Sequence, residues 1–249
     1  MSRRLTYLPL LLTATFSPAS FAAWHYGSGT GVVQHEPELK VEVGQKNADA
    51  KLFDITLTPD DNSELFSTLL QANNYATDGL WRIEYGFRQF DVSEPDVVQD
   101  SWQYNFEQTD AFFSVGQSFL QGESGQAAYL MFGVQYLDFS FSAAETIEQA
   151  TTSYKLSGDM IDATVGLKAD WPIYGQLVFH ASAEAGFGSS EANTQASVAL
   201  NYRIKQDWSL MLKAQYQAFE YEKGKSDQAN WRMLESEDTS VGIYFYRIW

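Results

Sequence analysis

The chain has 249 residues, 32 acidic and 16 basic side chains, a formal charge of -16 and no cysteine. That charge balance excludes a protein that tracks a phosphate backbone, so no nucleic-acid partner is expected. Without thiols there is no disulfide framework, thiolate nucleophile or zinc–thiolate site, and 45% hydrophobic residues are too many for a disordered acidic chain.

Arg3 and Arg4 precede a short apolar run at 5–16, and Ser20-Phe21-Ala22 forms a small-x-small cleavage site. This is the pattern of a secretory signal peptide over 1–22, with the mature chain starting at Ala23. The apolar run is too short for a membrane anchor, which needs ~20 residues. Beyond it no apolar stretch reaches helical spanning length. A soluble periplasmic protein fits that pattern, and so does a transmembrane barrel, whose strands alternate apolar and polar residues.

Residues 23–76 form the next unit. The stretch 24–33 reads as a glycine-rich first strand. Its Gly27-Ser28-Gly29-Thr30-Gly31 run lacks the Lys-Ser/Thr of a phosphate loop, and glycines in a strand let another element approach closely. Residues 59–70 read as a short helix capped by Asp60 or Asp61, with Phe66, Leu69 and Leu70 on its apolar side. The unit has too few apolar residues for a core of its own, so it is expected to supply barrel strand and a plug-like helix.

From 77 to 249 the chain reads as the main barrel. Ile161, Ala163, Val165, Leu167, Ala169 and Trp171 alternate with Met160, Asp162, Thr164, Gly166, Lys168 and Asp170, a period of two that specifies a strand. Eight such strands are expected at 79–92, 102–119, 126–142, 154–171, 174–188, 194–205, 208–222 and 239–249. Tight turns at 77–79, 121–125, 171–175 and 205–207 alternate with longer polar connections at 93–101, 144–153 and 223–236; the connection at 188–192 is short. This alternation is how outer-membrane barrels are organised. A lipocalin-like soluble barrel would reverse the two faces, and alternation alone does not choose between them.

Val241, Ile243, Phe245 and Trp249 alternate at the end of the chain. This segment resembles the C-terminal strand of bacterial outer-membrane β-barrel proteins, which is read by the barrel assembly machinery. The resemblance implies that Phe245 and Trp249 form an assembly signal. Arg247 departs from the family pattern, which has an apolar residue or Tyr there. The first third, with its aromatic glycine-rich strand, Phe53-Asp54-Ile55-Thr56-Leu57 followed by Pro59-Asp60-Asp61, and Asp78-Gly79-Leu80-Trp81, resembles a family of small bacterial outer-membrane barrels. That resemblance implies that residues around Val32 pair with the last strand and that 66–76 add a strand. The expected fold is therefore an all-β, transmembrane, antiparallel up-and-down barrel of 8–10 strands with a short N-terminal helix inside it or across its mouth.

Candidate chemistry is thin. His180, Ser182 and Glu184 share one strand face and have the composition of a nucleophile, a base and an orienting group. Their spacing resembles the His-x-Ser motif of the outer-membrane lipid A 3-O-deacylases, although Ala183 stands where that family has Asn. The other reading is a lumenal hydrogen-bond cluster. By alternation Arg82, Glu84, Arg88, Asp162, Lys168, Asp170, Glu184, Arg203, Lys205 and Lys213 point inward, where opposite charges pair and fill a narrow barrel. Acids at Asp91, Glu94, Asp96 and Asp100, and at Glu235, Glu237 and Asp238, fall in the expected outer loops as solvated surface.

The resulting expectation is a monomeric protein of the bacterial outer membrane with a structural or interaction role and a polar, filled lumen. Its expected partners are membrane lipid, lipopolysaccharide and the assembly machinery; no enzymatic activity, cofactor or metal site is expected. A narrow porin-like channel and a deacylase-like hydrolase using His180 and Ser182 are the alternatives.

Overall fold

A computed structural model describes residues 25–44, 53–57, 70–99, 102–147, 150–225, 227–228 and 230–249. The signal segment 1–22 lies outside them, as does the expected helix at 59–70 except for Leu70, which begins a strand. The described strands are β1 (His25–Gly44), β2 (Phe53–Leu57), β3 (Leu70–Thr77), β4 (Trp81–Gln99), β5 (Trp102–Gln121), β6 (Ala127–Ile147), β7 (Ala150–Tyr174), β8 (Leu177–Gly188), β9 (Ala192–Lys205), β10 (Trp208–Lys223) and β11 (Trp231–Ile248).

Neighbours from β3 to β11 pair in sequence order, all antiparallel, and β1 pairs with β11 from Gly27↔Ile248 to Gly44↔Trp231, which closes the barrel. The other edge of β1 is shared. β3 covers His25–Gly31, and the short β2 covers Leu39–Val43. Ten strands form the wall, with β2 continuing the line of β3. Val32 sits opposite Ile243 on the last strand. We call the end that carries the short turns and Trp249 the lower end.

Local chemistry sets the lower turns. Asp78 Oδ1 accepts from the backbone N–H of Leu80 (2.9 Å) and Trp81 (2.6 Å), and Gly79 takes a φ of 87° that a side chain would resist. In β1, Gly27, Gly29 and Gly31 lie where the rings of Tyr75, Tyr246 and Tyr244 fill the space a Cβ would need. The close approach expected from these glycines is made by three tyrosine rings.

Along each long strand the two faces exchange character partway up. In β6 the outward residues run Leu130, Phe132, Val134, Tyr136 and then Asp138, Ser140 and Ser142, while the inward ones run Tyr129, Met131, Gly133, Gln135 and then Leu137, Phe139 and Phe141. In β7 the change falls between outward Ile161 and Asp159, and between inward Asp162 and Met160. The two changes are level, since Tyr136 pairs with Ile161 and Asp138 with Asp159. β10 changes between Gln217 and Phe219 inside, and between Ala218 and Glu220 outside.

Below the change, the roughly ten residue steps from Ile161 to Trp171, at ~3.4 Å each and tilted ~40°, span ~26 Å along the barrel axis, the height of a bilayer's apolar band. Exposed Trp81, Trp171, Tyr174, Tyr202, Trp208 and Trp249 ring its lower edge, where amphipathic aromatic rings favour an interface. Above the change the wall is an ordinary water-soluble barrel, apolar within and polar without. Its first outward residues include the acids Glu107, Asp138, Asp159 and Glu237. Partial burial and the neighbouring Asp159 raise the carboxyl pKa of Asp138 above the usual range.

This exchange corrects two expectations. The connections read as long polar loops are largely strand: β4 continues to Gln99, β6 to Ile147, and β7 and β11 begin at Ala150 and Trp231. Glu235 and Glu237 remain on the outer face of β11, but Asp238 turns inward and is buried. The expected polar interior is confined to the lower half and a middle layer. The upper half is filled by Leu39, Val41, Phe106, Leu137, Phe139, Phe141, Leu156, Met160, Phe219, Tyr221 and Leu234.

Candidate functional site: the barrel interior

The lower interior holds a connected set of ionic side chains. Arg82 on β4 donates from Nε to Glu84 (2.5 Å) and from Nη1 to Asp170 on β7 (2.5 Å). Lys168 Nζ donates to the same Glu84 oxygen. His180 Nδ1 on β8 lies 2.6 Å from Asp170 Oδ1. Alternation explains the assembly: residues two apart on one strand share a face, and the β7–β8 register sets Asp170 opposite His180. The Arg82 guanidinium also lies 5.0 Å from the centre of the Tyr75 ring and 5.5 Å from that of Tyr129, so its faces meet aromatic rings while its edges meet carboxylates.

A middle layer follows. Arg88 on β4 donates from Nε to Asp110 Oδ2 on β5 (2.7 Å), with a second contact from Nη2, and Gln108 donates to the same oxygen at 3.2 Å. Across the closing seam, His35 Nδ1 on β1 meets Asp238 Oδ2 on β11 at 2.6 Å, both residues buried. Alternation of β1 and β11 placed neither residue in the expected charge set. Asp238 falls in an expected loop, and a lone histidine carries no pairing signal in sequence.

The other expected lumenal residues divide. Asp162 points inward but makes no ion pair among the described residues. Its carboxylate accepts from the N–H groups of Ser189 (2.8 Å) and Ser190 (3.1 Å), from Ser190 Oγ (2.7 Å) and from Asn193 Nδ2 (2.7 Å), tying down the β8–β9 connection. Glu184 and Lys213 lie on inward faces within electrostatic reach of one another, without an ion pair among the described residues. Arg203 has the inward parity of β9 but is exposed, as is Lys205. Both sit where β9 ends, so they line the lower mouth and are not part of a buried pair.

The nucleophile reading of His180 and Ser182 does not assemble. His180 uses Nδ1 on Asp170, and Ser182 Oγ is 2.8 Å from Ser197 Oγ on β9. No hydrogen bond joins His180, Ser182 and Glu184 to each other among the described residues. His180 and Ser182 instead make inward-facing hydrogen bonds with Asp170 and Ser197.

On the outer wall, Phe245 is exposed, and Trp249 exchanges backbone hydrogen bonds with Tyr26 (3.0 and 3.1 Å). The departure at Arg247 has a local reason. Its guanidinium lies 5.9 Å from the ring centre of Trp208 and 5.6 Å from that of Trp249, at the lower rim where a charge can reach water.

No protein-family model matches the chain, and no curated protein matches it. Among solved structures it is similar to the translocator domain of autotransporter NalP from Neisseria meningitidis, at 11% identity and a TM-score of 0.39, covering 88% of this chain and 87% of that one. It is similar to the outer membrane protein OprG from Pseudomonas aeruginosa, at 13% identity and a TM-score of 0.37, covering 91% and 95%. Ail, the attachment invasion locus protein of Yersinia pestis, is similar at 7% identity and a TM-score of 0.35, covering 88% and 97%. These solved structures are bacterial outer-membrane β-barrels, and this chain is a closed antiparallel barrel with an apolar outer belt, an ionic lower interior and an apolar upper core.

Proposed function

We propose that the mature chain is a monomeric outer-membrane barrel with a structural or interaction role, whose interior is filled and conducts no solute. The observation that carries this reading is the exchange of faces. An exposed apolar belt of bilayer height around an ionic interior suits lipid, and an apolar core above it suits water outside and closes the lumen. By the organisation of such barrels, the short-turn end faces the periplasm and the extended hairpins stand outside the cell among lipopolysaccharide. Phe245 and Trp249, on the strand that closes the barrel, are the residues we assign to recognition by the assembly machinery. No catalytic role is assigned to His180 or Ser182.

Fractionation and tolerance to arginine test this placement. The processed protein is expected in the outer-membrane fraction, with a folded form whose gel mobility shifts on heating. Recovery as soluble periplasmic material would contradict the reading. Within β7, Leu167→Arg puts a charge on the exposed belt and is expected to cost ~2–4 kcal/mol in a bilayer. Ser157→Arg, outward on the same strand but above the belt, is expected to stay within ~0.5 kcal/mol. Equal costs, read from denaturant unfolding in lipid vesicles, would show that no membrane boundary lies between the two positions.

A further inference from the structure

We infer that Arg247, with Lys205 and Arg203 beside it, forms a site for the phosphate headgroup of an anionic phospholipid in the leaflet at the lower end of the barrel. This rests on the placement in a membrane proposed above and goes beyond it, since an apolar belt needs no particular headgroup.

The outward face carries the argument. Between the lower turns and the acids that begin above the belt, Arg247 is the one charged residue of outward parity among the described residues. It is exposed, and its side chain forms no ion pair among the described residues. Its guanidinium lies over two indoles, Trp208 at 5.9 Å and Trp249 at 5.6 Å. The rings take up the faces of the guanidinium and leave its in-plane N–H groups, whose fork matches two oxygens of a phosphate. Both indoles are exposed at the lower edge of the belt, the depth at which indoles meet lipid headgroups.

The register adds two cations. Trp208 lies opposite Arg247 on β11 and opposite Lys205 on β9, and Ser209 lies opposite Arg203. Arg203 and Lys205 are exposed, and the turn that joins β9 to β10 holds one acid, Asp207. Three cations thus face one carboxylate, in a chain with 32 acidic and 16 basic side chains. At the other edge of the belt the first outward residues include the acids Glu36, Asp138, Asp159 and Glu237, which repel a phosphate. The patch therefore selects the lower leaflet. Its excess of positive charge favours a headgroup of net negative charge over a zwitterionic one. Acyl chains lying along the belt hold that headgroup at the rim, which raises its effective concentration over that of a free phosphate.

The folded protein, identified by its heat-shifted mobility, is held in maltoside micelles, which carry no phosphate. Dihexanoyl phosphatidylglycerol is titrated in, and the indole N–H resonances of Trp208 and Trp249, assigned with Trp208→Phe and Trp249→Phe, report binding. Both resonances are expected to shift and saturate. Arg247→Gln is expected to weaken the apparent affinity about fivefold, the scale of one interfacial cation. Lys155→Gln, at an exposed position on the upper wall of β7, is expected to leave it unchanged. Dihexanoyl phosphatidylcholine is expected to bind more weakly, and glycerol 3-phosphate at the same concentrations to give no saturation. Equal affinity of the unsubstituted protein and Arg247→Gln would overturn the site, while the placement in the membrane, tested separately by fractionation, would stand. Equal affinity for phosphatidylcholine would overturn the charge selection, and saturation by glycerol 3-phosphate at equal affinity would overturn the lipid as ligand. If Arg247→Gln does not fold, salt raised from about 50 to about 500 mM on the unsubstituted protein decides: weakened binding supports the cationic site, and unchanged affinity overturns it.

Discussion

Phe139→Ala will lower the stability of the folded barrel by about 3–5 kcal/mol, the cost of emptying a packed aromatic site. Phe139 is 1% exposed, and its ring centre lies 5.0 Å from that of Tyr221, edge to face, and 6.0 Å from that of Phe219. The Tyr221 ring in turn lies against Gly158, where no side chain intervenes. Truncating Phe139 therefore removes buried area and an aromatic pair together. The contrast is Phe132→Ala on the same strand. Phe132 is 54% exposed on the opposite face, and lipid chains fill the space it leaves, so its loss is expected to cost about 1 kcal/mol or less. Urea unfolding in lipid vesicles measures both. Equal losses would mean that the upper interior is not a packed core.

Glu84→Ala is expected to be as damaging for an electrostatic reason. One carboxylate oxygen holds both Arg82 and Lys168, and the Arg82 side chain is only 6% exposed. Removing one partner of a buried pair leaves an uncompensated charge, at about 3–5 kcal/mol. Asp170 still binds Arg82, and the Lys168 side chain is 19% exposed, which places the expected loss at the lower end of that range. Glu84→Gln keeps the volume and one acceptor and is expected to lose less. Neither change touches the lipid-facing surface, so the heat-shifted mobility is expected to persist. A loss below about 1 kcal/mol for Glu84→Ala would show that the fold draws little stability from this ionic cluster.

Much of the wall was legible in the sequence because period two is a local signal. Trp81 and Trp208 begin their strands where turn residues precede them, and the pairing of Val32 with the last strand followed from the family resemblance. Asp238 and Arg203 show what was not legible. Alternation gives the parity of a residue but not the medium each face meets, and its simplest reading keeps one phase over the full length of a strand. Where the wall leaves the bilayer that phase reverses. Polar outward residues such as Glu235 and Glu237 then read as loop, and Asp238 beside Glu237 reads as part of the same surface. Arg203 has the inward parity but lies where the wall ends, a property set by register against neighbouring strands. The His180–Asp170 contact crosses from β8 to β7, and nothing in the His-x-Ser spacing distinguishes it from a catalytic arrangement.

The central claim is that the apolar core of the upper half closes the barrel. Single-channel recording of the purified, folded protein in planar bilayers tests it most directly. The account predicts no steady conductance above baseline at either polarity. A stable, ion-selective open state, reproduced across insertions and absent from unfolded controls, would contradict it.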